Sequence, residues 1–430
     1  MAARRRQCSS WSDFLPELLN LVLRRLPSLA DRVRLRAVCR PWRDHVRLEQ
    51  QPLPPPLPWL TLLDGTFLSF PDAEVHCLPL PGDTHRCHGS VGNNWLFIEH
   101  TGGRCSLTNP FSKAAVPVRL PSVYNMWHRH EETDAAYPKA LLGYLKLVLL
   151  SSSPPSPHSP FAVLTVDSEC GNNVCIIQPP MMASSSTFRV PKPSDHEGKK
   201  PFILDVAFFD GKLYALTQRK LFVVLDNIDD SNANHYKAGG SPETLVIPPM
   251  KCIVDSDSIK HDPRTAACLS AFANQGYERG FWGYLVESRG RLLYVSRLLG
   301  VLSSVPEESK LEHARTLSFD LFEFEVEADL TTNNTARGQW KRVSSVGGQA
   351  LFVGKHSKSL PASECRAQED CIYFMHDYDR GGLDSDPFRD CGVFNMRNGM
   401  ITPLLPQTAM AVQPQGDAGR PAWFFPADEA

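Results

Sequence analysis

Several groups of side chains in this sequence have the types needed for chemistry. His85-Arg86-Cys87-His88 places two imidazoles and a thiol within four residues, with Glu74, His76 and Cys77 shortly before. These are zinc donors. A structural zinc site, however, draws paired ligands from two separate segments at a characteristic spacing, and this run fits no such module. Cys170 with Cys175, and Cys365 with Cys371, read more simply as buried thiols. Asp377-Tyr378-Asp379-Arg380-Gly381-Gly382-Leu383-Asp384-Ser385-Asp386 has the acidic character of a calcium loop. Its twelfth position is Phe388 rather than a bidentate Glu, so a solvated turn between strands explains it better. The carboxylate pair Asp229-Asp230 sits in a polar stretch where no low-dielectric cleft would tune it.

The sequence contains no Gly-x-Ser-x-Gly elbow, phosphate-binding loop, dinucleotide fingerprint or His-Glu-x-x-His. Trp95, Trp127, Trp282 and Trp340 do not interleave with Lys and Arg as a nucleic-acid platform would, and they read as core. No catalytic residue, metal or cofactor is expected, and neither a nucleic acid nor a membrane is an expected partner.

The elements that could position these residues fall into two kinds. Leu15, Leu18, Leu19, Val22, Leu23 and Leu26 recur at the spacing of one face of an α-helix. Ser12 or Asp13 could cap its start, Pro16 is tolerated in its first turn, and Pro27 ends it. Ser28-Leu29-Ala30-Asp31 has the form of a capping box opening a second helix with Val33, Leu35, Ala37 and Val38. Pro41 interrupts, and Trp42 belongs to a new turn or third helix. So small a unit, without disulfides, is at the limit of independent folding, so its apolar surface should lie against something else.

The order Phe14-Leu15-Pro16-Glu17-Leu18-Leu19, Leu26-Pro27, then Arg34-Leu35-Arg36-Ala37-Val38-Cys39-Arg40-Pro41-Trp42-Arg43 resembles an F-box. F-boxes bind the Skp adaptor of cullin–RING ubiquitin ligases. The resemblance implies that Leu15, Pro16, Leu19, Val22, Leu26, Val38, Cys39 and Trp42 build or support an adaptor-binding surface. It also implies cullin and RING subunits as indirect partners.

The 430 residues leave room for a large domain beside this small one, and 42% apolar with 21% charged content is that of a globular chain. The net charge is −2, but residues 1–50 hold eleven Arg against five Asp plus Glu, +6, which leaves −8 for the rest. Arg4-Arg5-Arg6 makes a basic tip. Twelve scattered cysteines without an uninterrupted apolar leader suggest a reducing cytosol or nucleus. Leu141–Leu150 is too short to span a bilayer.

Pro52, Pro54, Pro55, Pro56 and Pro58 form a joint expected to act as a semi-rigid extended spacer. From Trp59 the period becomes two. Ile203–Phe209, a turn at Asp210-Gly211, Lys212–Thr217 and Leu221–Leu225 read as a meander. So do Gly283–Ser288, Arg289-Gly290 and Arg291–Val295, and again Leu317–Val326 with Gln339–Val343. Recurrence every forty to fifty residues predicts a β-propeller of about six to eight blades, with a large sandwich as the weaker alternative. Polar runs at 151–160, 183–200 and 226–243 are expected to be mobile inserts.

Gly89–Leu96, Leu107–Phe111, Tyr284–Ser288, Trp340 with Leu351–Gly354, and Cys371–Phe374 together resemble the plant F-box proteins that carry a KIB-type β-propeller. The expectation is therefore a small all-α F-box of three short helices at 9–48, a proline-rich linker at 49–58, and an all-β propeller at 59–426. This chain would be the substrate-recognition subunit of a Skp–cullin–F-box ligase, its propeller choosing a target protein. The alternative is a ligase-independent binding module that masks a partner such as a kinase. A propeller enzyme is a third reading, without a recognisable nucleophile to support it.

Overall fold

A computed structural model describes residues 14–48, 53–62, 64–118, 145–151, 154–167, 171–178, 186–189, 202–217, 220–225, 250–255, 263–274, 276–306, 313–327, 337–378, 388–406 and 421–427. Three helices come first: α1 (Pro16–Arg25), α2 (Leu29–Ala37) and α3 (Arg40–Leu48). Proline stands early in α1 and α3, where its missing N–H has no helical partner to lose. Ser12 and Asp13 lie outside the described residues. Leu15 occupies the cap position of α1 with no side-chain cap. The second cap is as expected: Ser28 accepts a hydrogen bond from the Asp31 amide at 3.4 Å.

Six sheets follow, arranged as a six-bladed β-propeller. The first holds β1 (Trp59–Thr61), β2 (Phe67–Ser69), β3 (Val75–His76) and the final strand of the chain, β25 (Ala422–Phe424). The second is β4 (Thr84–Ser90), β5 (Leu96–His100), β6 (Cys105–Thr108) and β7 (Ala115–Val118). The third is β8 (Leu145–Leu149), β9 (Phe161–Asp167), β10 (Gly171–Gln178) and β11 (Ser186–Arg189). The fourth is β12 (Ile203–Phe209), β13 (Lys212–Thr217), β14 (Lys220–Leu225) and β15 (Lys251–Asp255). The fifth is β16 (Tyr277–Ser288), β17 (Arg291–Leu302), β18 (Arg315–Glu327) and β19 (Arg337–Arg342).

The sixth sheet holds β20 (Gln349–Phe352), β21 (Lys358–Pro361), β22 (Cys371–Phe374), β23 (Gly392–Asn395) and β24 (Ile401–Pro403). It departs from a simple meander. β20 pairs antiparallel with β21 but parallel with β22. The ring closes where β25 pairs with β1, Leu60 opposite Trp423. Gly89 sits at φ +97°, and a Cβ there would lie 2.5 Å from that of Ala422. Glycine thus lets β4 approach the closing strand.

The turns at Asp210-Gly211 and Arg289-Gly290 place both residues at positive φ, as tight hairpins demand. Apolar clusters fill the spaces between neighbouring blades. One joins Leu164, Val206, Tyr284, Val295, Phe319 and Phe374, and another joins Leu60, Phe70, Phe352, Tyr373 and Trp423. Trp282 and Trp340 are buried.

Several features differ from expectation. Ser186–Arg189, inside an expected polar insert, forms the outer strand of the third blade, pairing Ile176 with Phe188. The sequence reading missed the helix α4 (Pro263–Asn274) and the short α5 (Ala362–Cys365). The proline-rich joint, expected as a semi-rigid extended spacer, is also packed into the fold. Pro56, Leu57 and Pro58 are buried, and Leu57 enters the core between the first and sixth blades, because its apolar side chains have surface available on both sides. Residues 379–387, most of the acidic loop, lie outside the described residues, as do Asp229, Asp230, Trp127 and Cys170.

Candidate functional site

The helical unit carries more apolar side chains than its own core can use. Leu19, Leu23, Leu35 and Val46 form that core, with Phe14, Leu26 and Trp42 packed partly against it. The Phe14 and Trp42 rings are 5.9 Å apart. On α1, Leu19 is fully buried while Leu15 is 59% exposed, and Leu18, Leu21 and Val22 are exposed too. Val33 and Val38 add to this outer surface, Val38 at 57%.

The eight residues singled out from the sequence therefore divide. Leu15, Val22 and Val38 are exposed. Pro16, Leu26, Cys39 and Trp42 are half-buried beside them. Leu19 points inward and supports the others from beneath. Leu18, Leu21 and Val33, also exposed, lie outside the eight; the sequence marks Leu18 and Val33 only as apolar positions of their helices.

The possible metal ligands do not converge. His85 is exposed on β4 while Cys87 and His88 are buried. His88 Nε2 lies 3.0 Å from Glu99 Oε2, and burial lowers its pKa. Among the described residues no three His, Cys, Asp or Glu side chains group as a cation would need. Cys365 and Cys371 are buried free thiols whose pKa burial raises, Cys371 to about 11. Neither is primed as a nucleophile.

The propeller also contains a buried ionic network that sequence spacing did not reveal. Arg297, on β17, is completely buried. Its Nε donates to Thr316 Oγ1 at 2.7 Å. Nη1 donates to the Met375 carbonyl at 2.8 Å, the Tyr284 hydroxyl at 2.9 Å and Asp377 Oδ1 at 3.2 Å. Nη2 donates to Asp390 Oδ2 at 2.9 Å. The guanidinium also lies over the Phe374 and Tyr378 rings, 4.7 Å from each centroid.

Tyr284 donates to Asp377 at 2.7 Å, and Tyr378 and Thr316 donate to Asp390 at 2.9 and 2.6 Å. Burial alone would lower the pKa of Arg297, but the surrounding tyrosines and carboxylates raise it and hold it charged. Burial pushes Asp377 up to about 6, against the pull of Arg297. Asp390 is held below its ordinary range because Arg297 and the Thr316 and Tyr378 donors outweigh burial. This clamp joins the fifth blade to both ends of the 377–390 loop.

A second buried pair, Lys146 Nζ to Asp205 Oδ1 at 2.5 Å, ties the third blade to the fourth. Asp205 Oδ2 accepts from the Leu285 amide of the fifth at 2.8 Å. Burial nevertheless pushes the Asp205 carboxyl up. These groups hold blades together, and none is arranged as a nucleophile with its base.

Two family comparisons bear on the chain. Residues 11–50 match the F-box domain, and residues 67–395 match the family described as the KIB1-4 β-propeller. Among solved structures, the β-propeller domain of Myceliophteria thermophila Cps50 (Swd1) is 11% identical, with a TM-score of 0.35 over 80% of this chain and 81% of that one. A complex of the fission yeast SREBP–SCAP binding domains is 7% identical, with a TM-score of 0.21 over 70% and 90%. None of the curated proteins matches the sequence. Among the described residues no helix is long and apolar enough to cross a membrane. With one domain match on its helices and another across its blades, the chain belongs to the KIB1-4 β-propeller family and carries an F-box domain ahead of the propeller.

Proposed function

We propose that this protein is the substrate-recognition subunit of a Skp–cullin–F-box ubiquitin ligase. The observation that carries this reading is the exposed apolar surface of Leu15, Leu18, Val22 and Val38 on a unit whose own core is already complete. Exposed apolar side chains concentrated on so small a unit point to a partner site. The F-box match supports the Skp adaptor as that partner, with cullin and RING subunits reached through it. Leu15, Pro16, Val22, Leu26, Val38, Cys39 and Trp42 would face or border the adaptor, with Leu19 supporting them. On this reading 9–48 is the adaptor-binding domain, 49–58 the joint and 59–426 the target-binding propeller. The chain itself catalyses nothing. Its contribution is to raise the local concentration of a target protein beside the ligase.

The test is co-purification with a Skp adaptor, comparing the wild type with Leu15→Ala/Pro16→Ala. Stoichiometric binding that the double variant loses supports the assignment. A well-folded wild type that does not bind overturns it and favours a ligase-independent binding protein.

A further inference from the structure

The joint between the helices and the propeller is tied at several separate points. Arg32, on α2, is fully buried. Its Nε donates to the Leu26 carbonyl at 2.8 Å, within the turn between α1 and α2. Its Nη1 donates to the Pro54 carbonyl at 2.7 Å, in the proline-rich joint. One planar guanidinium thus bridges two stretches of backbone, at Leu26 and Pro54, that lie 28 residues apart in the chain.

Beside it the Leu57 amide donates to the Pro27 carbonyl at 2.9 Å. Leu53 packs on the three-helix core, while Leu57 packs into the propeller. Leu29, at the start of α2, is buried in a cluster with Trp59, Phe67, Cys87, Leu96, Ile98 and Phe424 from the first two blades. On the surface Arg34 contacts Asp31 at 2.8 Å and reaches Glu74 in the turn between β2 and β3.

These contacts give α2 two roles. Leu29 faces the propeller and Arg32 faces the proline-rich joint, while Val33 and Val38 remain exposed. Swinging the propeller away from α2 would expose the Leu29 cluster and, by dragging the proline-rich joint anchored at Leu57, pull the Pro54 acceptor from a buried guanidinium. Both changes are costly. We propose that Arg32 is a positioning residue that locks the helical unit to the propeller at one fixed angle. Adaptor and target are then held in a set geometry rather than on a swinging arm. This rests on the ligase reading for its purpose, while the rigidity itself stands on the contacts.

The experiment measures the distance distribution between two spin labels in the full chain. The labels attach to ketone-bearing amino acids introduced at Arg47 on α3 and Lys251 on β15, both exposed, because twelve native cysteines rule out thiol labelling. The wild type is expected to give one narrow distribution. Arg32→Lys keeps the charge but offers a single ammonium in place of the fork, and is expected to broaden the distribution. Adaptor co-purification and the melting of the propeller should stay unchanged. Glu74→Gln, which leaves the helix packing intact, should broaden it less.

A broad wild-type distribution overturns the lock. So does an Arg32→Lys distribution as narrow as the wild type in folded protein. Should Arg32→Lys fail to fold, the wild-type width and Glu74→Gln still decide. A narrow wild-type distribution supports the lock even where the adaptor does not bind, and that failure of binding would overturn the ligase reading alone.

Discussion

The helical unit and the propeller interior solve opposite problems. The helices expose leucine and valine to water, whereas the propeller hides arginine, lysine and aspartate from it. An exposed apolar surface contributes little to the fold and gains free energy only when a partner covers it. A buried charge costs the fold a great deal unless its partners are held in place. On the proposed reading Leu15 has its value in binding, whereas Arg297 has its value in architecture. Mutations should separate the two regions cleanly.

The largest effect is expected at the clamp. Arg297→Met leaves Asp377 and Asp390 buried without their cation, and loss of one partner from such a group costs about 3–5 kcal/mol. Urea unfolding followed by tryptophan fluorescence should show it. A loss below about 1 kcal/mol would mean that the network is not the clamp described.

The second prediction sharpens the comparison within a single helix. Leu19→Ala should cost the helical unit about 2–5 kcal/mol through the cavity it leaves. Leu15→Ala should move stability by less than about 0.5 kcal/mol while weakening adaptor co-purification. Equal effects of the two substitutions on stability would erase the distinction between inward and outward faces.

The third concerns pH. His356 is half-buried with its Nε2 shielded from water, and its pKa is held well below 6.5 by desolvation and then by Lys146, Lys355 and His88. The unfolded chain therefore binds a proton at His356 below about pH 6.5 that the folded chain refuses, and stability falls as pH drops. His88 acts in the same direction. Asp377 opposes them. Its folded carboxyl protonates near 6 and its unfolded one near 3.8, so acidification through that window adds stability. His356→Leu removes one loss and keeps the gain, so its urea midpoint should fall less than that of the wild type between pH 7 and 5. Parallel pH profiles would rule out His356 as a contributor.

The smallest effect is expected at the Ser28 cap. Ser28→Ala should cost about 0.5–1 kcal/mol, at the low end because the bond is long, and helical circular dichroism during melting would detect it.

Much of the fold was legible in the chain. The 3.6-residue apolar spacing in α1, the Ser28 cap and the Asp-Gly and Arg-Gly hairpins are local features, set by backbone sterics and short-range hydrogen bonds. The resemblance of Phe14–Arg43 to an F-box pointed to the same helices. The departures share one character. The strand at Ser186–Arg189 lies in a polar stretch and owes its form to the edge of β10. β20 runs parallel to β22, and nothing in a meander pattern announces that pairing. Leu19 and Leu15 look alike in sequence, and only the packing of α2 and α3 tells which is inside.

Residue types and their spacing determined by themselves that a small helical unit precedes a repeating β architecture, because periodicity records which face of each element must leave water. The tertiary structure alone decided that six blades close through β25, and that Arg297, Asp377 and Asp390 meet. It alone decided that Arg32 ties the joint to the helices. Those contacts join residues far apart in sequence, and a charge far from its partner carries no local sign of the pairing that makes its burial affordable.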